Sequence, residues 1–260
     1  MTYCKENGIT GIEDALQRLE ELSDPMAEME DGDKEKYMDV EEAIKNAASD
    51  KNAEAYINAM QALCAVFQNI DAPGYSEDPD AYGEYRDKCM AMNLSWVLEK
   101  EEAAGHGKIM LTAHNGHLTK GEAISFGEHT FGNRLAEMYG DEYFVIGTEF
   151  FNANVNIHTA GTWDENYERK NHKFCSGDPL AYQEKNRKDG MYYLDFATVP
   201  KESTKLYDQI HKETSMGSVG EGYSIYFYLF QTFRESMVPA DCYDAVIYVY
   251  DATPIEMISL

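Results

Sequence analysis

Gly107-Lys108-Ile109-Met110-Leu111-Thr112-Ala113-His114-Asn115-Gly116-His117-Leu118 is the stretch that decides how this chain is read. The apolar run from Ile109 to Ala113 is short for a helix and lacks alternation, which predicts a buried strand. It stops at two histidines separated by Asn-Gly, so His-Asn-Gly-His falls where a strand ends and a loop begins. In open α/β sheets, ligands gather at the carboxyl ends of strands. His114 and His117 are therefore the candidate catalytic residues.

Upstream of this stretch the pattern is helical. Residues 11–22 place Ile12, Leu16 and Leu19 at helical spacing, with Pro25 beyond the end. Residues 26–36 are acidic and contain glycine, which predicts a solvated loop. Further helices are expected over 40–48 and 52–70, the latter with Ile57, Met60, Leu63, Cys64, Phe67 and Ile70 on one stripe. Residues 81–104 predict a long helix with Tyr85, Cys89, Met92 and Trp96 facing inward, closed by Gly105-His106-Gly107.

Downstream, strands alternate with helices. Residues 131–139 have helical spacing and stop at Gly140, a suitable cap. Strands are expected over 143–149, 192–196 and 245–250, and a short helix over 203–211. Residues 223–233 are apolar and aromatic, and strand and helix both stay open there. The polar stretch 152–190 shows few periodic signals and is expected to be a long loop acting as a specificity lid. The whole predicts an α/β fold, a mostly parallel sheet flanked by helices. A helix-rich region over 1–105 precedes an α/β core over 106–260, and the two are expected to form one continuous domain.

Composition narrows the function. A chain of 260 residues can bury a substantial core, and its 19 tyrosines and 11 phenylalanines supply packing area. A formal net charge of −25 argues against nucleic acid and anionic membranes, which are bound through Lys and Arg. Five scattered cysteines without a CxxC pair favour reduced thiols. No stretch approaches the roughly 18 apolar residues of a membrane helix, and the first residues lack the apolar core of a signal peptide. The expected compartment is the cytoplasm. The oligomeric state is not legible.

Three readings of the His114/His117 pair stay open. The imidazoles bind a metal, which needs a third or fourth ligand that no HExxH-like companion supplies. They order a loop through hydrogen bonds. Or they act in acid–base chemistry or transition-state stabilisation. There is no Gly-x-Ser-x-Gly elbow and no cysteine in a nucleophile setting. The glycine-rich segment from Gly217 to Gly222 follows no clear strand, so it is no dinucleotide fingerprint. Asn115, Arg86 and Glu149 are the candidate substrate-binding residues. Glu149, at a strand end, either orients an imidazole or is a solvated carboxylate, and Arg86 with Asp87 is equally a surface ion pair. No cofactor and no metal is expected.

Four segments in order carry a resemblance. Tyr85-Arg86-Asp87 through Met90, Asn93 and Trp96, with Thr112-Ala113-His114-Asn115-Gly116-His117, resemble an Arg-Asp…Asn helix and a His-Asn-x-His segment of the erythromycin esterase family. Gly132 through Leu135, Tyr139-Gly140 and Tyr143 to Gly147 are similar to a Gly…Leu…Tyr-Gly…Tyr…Ile-Gly run in that family. Tyr243-Asp244-Ala245 through Thr253-Pro254 resembles its closing strand. The resemblance covers roughly residues 80–255. It implies a parallel-sheet α/β fold and metal-independent hydrolysis of a small-molecule ester or lactone by histidine-activated water, with His114 and His117 as two of its active-site histidines. Two departures accompany it. The early Gly-Glu…His-Gly segment carrying the family's principal base has no counterpart, so the chain is expected to match the later two-thirds of such an enzyme. Gly217 stands where the family usually has an arginine. The alternative expectation is a non-catalytic relative that binds a small molecule or a partner.

Overall fold

The computed structural model describes residues 33–47, 54–75, 78–121, 129–159, 169–186, 188–220 and 222–254. The helix expected over 11–22, and the loop expected after it as far as residue 32, lie outside these. Contacts divide the chain into two compact units, Met1–Gly105 and His106–Leu260.

In the first unit, α1 (Asp33–Ala47) and α2 (Glu54–Asp71) pack around Tyr37, Val40, Ile44, Ala59 and Leu63, all buried. The third helix, α3 (Pro79–Ala103), starts where Asp78 accepts from the backbone N–H of Asp80 and Ala81 at 3.0 and 3.3 Å, with Pro79 in the first turn. Such a cap satisfies donors that the helix itself leaves open. Gly105, at φ +85°, follows its end. The buried face of α3 includes Asp87 and Ala91, while Met92, expected inside, is 51% exposed. Helix α3 is bound to α2 through Asn93, which accepts from Gln61 at 2.9 Å and donates to Gln68 at 3.0 Å.

The second unit opens with a departure from expectation. Residues 106–113 are not a buried strand: they have no ladder partner among the described residues, and Met110 is 92% exposed. An apolar run records an affinity for burial, but a strand also needs a neighbour for its N–H and C=O groups. The one-turn helix α4 (Asn115–Leu118) and then α5 (Phe131–Tyr139) follow. Strand β1 (Ile146–Thr159) is much longer than the 143–149 expected, and β2 (Arg169–Cys175) returns antiparallel to it. The supposed loop over 152–190 therefore contains half of a long strand and its hairpin partner. The nine positions 160–168 are too few for the crossover that a parallel pair requires, about a dozen residues.

Next come β3 (Met191–Asp195), α6 (Thr204–Ile210), β4 (Thr214–Gly217) and β5 (Gly222–Tyr223). The undecided segment 223–233 is mainly helix, α7 (Ile225–Phe230), and β6 (Arg234–Met237), α8 (Pro239–Cys242) and β7 (Ala245–Ala252) complete the unit. The main sheet runs β2-β1-β7-β3, with β5 also on β1, and β4 pairs with β6 in a second sheet. The β1–β7 and β1–β5 pairs are parallel; β1–β2, β3–β7 and β4–β6 are antiparallel. The fold is α/β, but the sheet is mixed where a mostly parallel one was expected. Its core gathers Val145, Ile210, Met216, Tyr243, Val246 and Tyr248, all buried. Ile157, Phe174 and Phe233 form a smaller cluster beside the site.

Candidate functional site

His117 sits on α4 and His114 caps it, and local chemistry explains why the chain turns there. His114 caps the helix, its Nδ1 accepting from Gly116 N–H at 3.2 Å. The Asn115 amide accepts from Thr148 N–H at 3.1 Å and donates to Thr148 C=O at 2.6 Å. One side chain thus takes the place of a neighbouring strand at that point on β1. From the other direction, Tyr143 Oη donates to Leu118 C=O at 2.8 Å, and Asn133 Nδ2 donates to Lys120 C=O at 2.8 Å. Asn133 also closes a capping box with Thr130 at the start of α5. Gly132 is mandatory here: a Cβ would lie 2.4 Å from the Leu118 carbonyl and 2.5 Å from that of Thr119.

His114 and His117 line one cavity of about 970 Å³, entirely within the second unit. Ile157, Phe174 and Phe233 supply apolar wall, and Arg169 and Glu235 supply opposite charges. Arg169 is held by Asn156, to whose carbonyl its Nη2 donates at 2.7 Å. Glu235 is 2% exposed on β6, opposite Met216 of β4. Burial, and then the nearby His117, hold the His114 imidazole below its ordinary pKa, against a backbone hydrogen bond with Val219. With Nδ1 accepting from Gly116, its role is to shape the turn as well as to line the cavity.

The remaining sequence candidates fall elsewhere. Asn115 spends its amide on Thr148 and is not among the lining residues. Arg86 belongs to the helical unit, half exposed, with Nη1 3.7 Å from Asp87 Oδ1. Glu149 is 1% exposed in the core; Oε2 accepts from Gly217 N–H at 2.7 Å and Oε1 from Phe150 N–H at 2.8 Å. A Cβ at Gly217 would lie 2.5 Å from the Phe150 ring, so no arginine fits there without a shift. Arg169 and Glu235 were not singled out from the sequence, and Glu235, one of 47 acidic residues, carries no local signal that would have done so. Among the described residues no group of three or more His, Cys, Asp or Glu side chains is placed to hold a metal ion. No described helix is long and apolar enough to cross a membrane.

Glu149 makes a measurable prediction. Burial and the neighbouring Asp178 raise its pKa from 4.5 to about 8, despite hydrogen bonds from Gly217, Phe150 and Ser176. The native state therefore holds a proton that the unfolded chain releases above pH 4.5. The stability from this group is complete below that pH and is lost as pH rises toward 8, in all about 5 kcal/mol. Asp178, also raised by burial, adds in the same direction. Urea unfolding at pH 5 and pH 8 is expected to show the decline, and Glu149→Gln is expected to flatten it. An equal decline in the variant would assign it to other groups.

The model of a family described as erythromycin esterase matches residues 5–252. A Bacillus cereus protein of known structure is 18% identical, with a TM-score of 0.67 over 99% of this chain and 63% of its own. A structure described as a succinoglycan biosynthesis protein is 16% identical, with a TM-score of 0.64 over 97% of this chain and 56% of its own. The chain thus spans about three-fifths of the length of these solved relatives. No curated protein matches it.

Proposed function

Because the chain belongs to the erythromycin esterase family, we propose that its histidine cavity hydrolyses a carboxylic ester or lactone with a water molecule activated by imidazole rather than by a metal. The observation that carries this reading is that His114, His117, Glu235 and Arg169 all line one largely apolar cavity. In the proposed mechanism His117 takes a proton from water as the oxygen adds to the carbonyl carbon. The negative charge that develops on the carbonyl oxygen is met by the Arg169 guanidinium. The tetrahedral intermediate collapses, and the imidazolium returns its proton to the departing alkoxide, giving acid and alcohol. Glu235 stabilises that imidazolium in a cavity wall where few waters would screen it. Asn115 contributes through Thr148, by fixing the turn, and Glu149 through Gly217, by fixing β4. Arg86 is assigned no step.

The test is hydrolysis of aryl esters and lactones by the purified protein, followed by the Glu235→Gln variant. The variant is expected to lose about tenfold or more in kcat with KM little changed, since the carboxylate acts when charge develops. Binding without turnover by the wild type would leave the non-catalytic reading in its place.

A further inference from the structure

The cavity continues outward onto a surface that ester cleavage alone does not call for. Helix α7 reads Ile225-Tyr226-Phe227-Tyr228-Leu229-Phe230, and every one of these side chains is between 45% and 74% exposed. Its shape is set by its ends. Ser224 Oγ accepts from Tyr226 N–H at 3.2 Å, and Gln231 closes it in the left-handed region at φ +55°. No charged residue occurs from Gly222 to Phe233, in a chain of net charge −25. A contiguous apolar patch of this kind on a protein surface marks a binding site. It is continuous with the candidate site, for Phe227 of α7, and Thr232 and Phe233 just beyond it, line the histidine cavity.

We propose that α7 is the docking ridge for the apolar chain of an uncharged long-chain ester whose carbonyl enters the histidine cavity. This rests on the esterase reading and adds to it the class of substrate. Three observations select this occupant. Phe227 in the middle of α7 lines the cavity, and Phe230, one turn further along the helix, is the most exposed of its side chains at 74%. The whole of α7, Ile225 to Phe230, is about 9 Å long, room for part of an extended acyl chain. The ridge offers no cation to a charged headgroup, and the net charge of the protein repels anionic amphiphiles.

The experiment measures kcat/KM for para-nitrophenyl esters from acetate to dodecanoate, in the wild type and in a Leu229→Ser, Phe230→Ser double variant. Neither residue lines the cavity, and both are largely exposed, so folding and acetate hydrolysis are expected to be unchanged. In the wild type kcat/KM is expected to rise about twofold per added methylene, half the effect of complete burial. The variant is expected to lose about tenfold on dodecanoate alone. A flat chain-length series, or equal losses on acetate and dodecanoate, overturns the ridge and leaves the esterase reading standing. If no ester is cleaved, the esterase reading fails, and calorimetric binding of dodecyl maltoside below its micelle concentration decides the ridge. Binding that the double variant abolishes supports it, and absence of binding by the wild type overturns it. A wild-type dimer that the double variant splits, seen by light scattering, shows a second copy on α7 and also overturns it.

Discussion

His117→Ala is expected to lower kcat/KM for ester hydrolysis by about 100- to 10,000-fold, the range for loss of a positioned acid–base group. The expectation follows from the division of labour on the turn. His114 Nδ1 is engaged by Gly116 N–H and its ring also meets the Val219 backbone, so its commitments are largely structural. His117 lines the same cavity without holding the cap. The alanine variant should fold as the wild type does, because Asn115, Tyr143 and Asn133 hold the turn independently of the imidazole. Circular dichroism checks the fold and a single-turnover assay checks the chemistry. Equal rates in the wild type and the variant would remove His117 from the mechanism.

Gly132→Ala is expected to be the most damaging single-methyl change near the site. The added carbon would lie 2.4 Å from both the carbonyl carbon and oxygen of Leu118. Those are backbone atoms, so relief requires α5 and the histidine turn to separate rather than one side chain to rotate. Overpacking of this kind costs about 3 kcal/mol, or roughly 10 °C in Tm for a unit of this size. Because the displaced segment carries His114 and His117, esterase activity is expected to fall together with Tm. Gly83→Ala is the matched control. A Cβ there meets nothing within 4 Å, and the exchange lies inside helix α3, so Tm is expected to hold or rise. Unchanged Tm and activity in Gly132→Ala would mean that the turn is not seated against α5.

Both predictions turn on a segment whose apolar half has the composition of a strand but finds no ladder partner among the described residues. His-Asn-Gly-His marks where the apolar run ends, and there the chain turns, with His114 capping the one-turn helix. Ile109 to Ala113 announces only apolarity. The alternation Asn152-Ala153-Asn154-Val155-Asn156-Ile157 has the period of a strand, although its asparagines have the composition of a loop. On β1 they pair across the hairpin instead, as where Asn156 Nδ2 donates to Asn171 at 2.9 Å. The segment 223–233 resisted assignment for a sound reason: α7 is apolar on every face, so it has no period to read.

What the sequence by itself determined are the features fixed within a few residues or by overall likeness. These are the long helix α3, the closing strand β7, the short helix α6 and the membership of a family. What only the tertiary structure decided are the pairings. It set the direction of β2 and β3 in the mixed sheet, sank Glu149 into the core, and brought Glu235 and Arg169 to the histidine cavity from strands more than fifty residues away. Caps and hydrophobic periods follow from neighbouring residues, whereas a strand's partner or a buried carboxylate's neighbours depend on which distant surfaces meet.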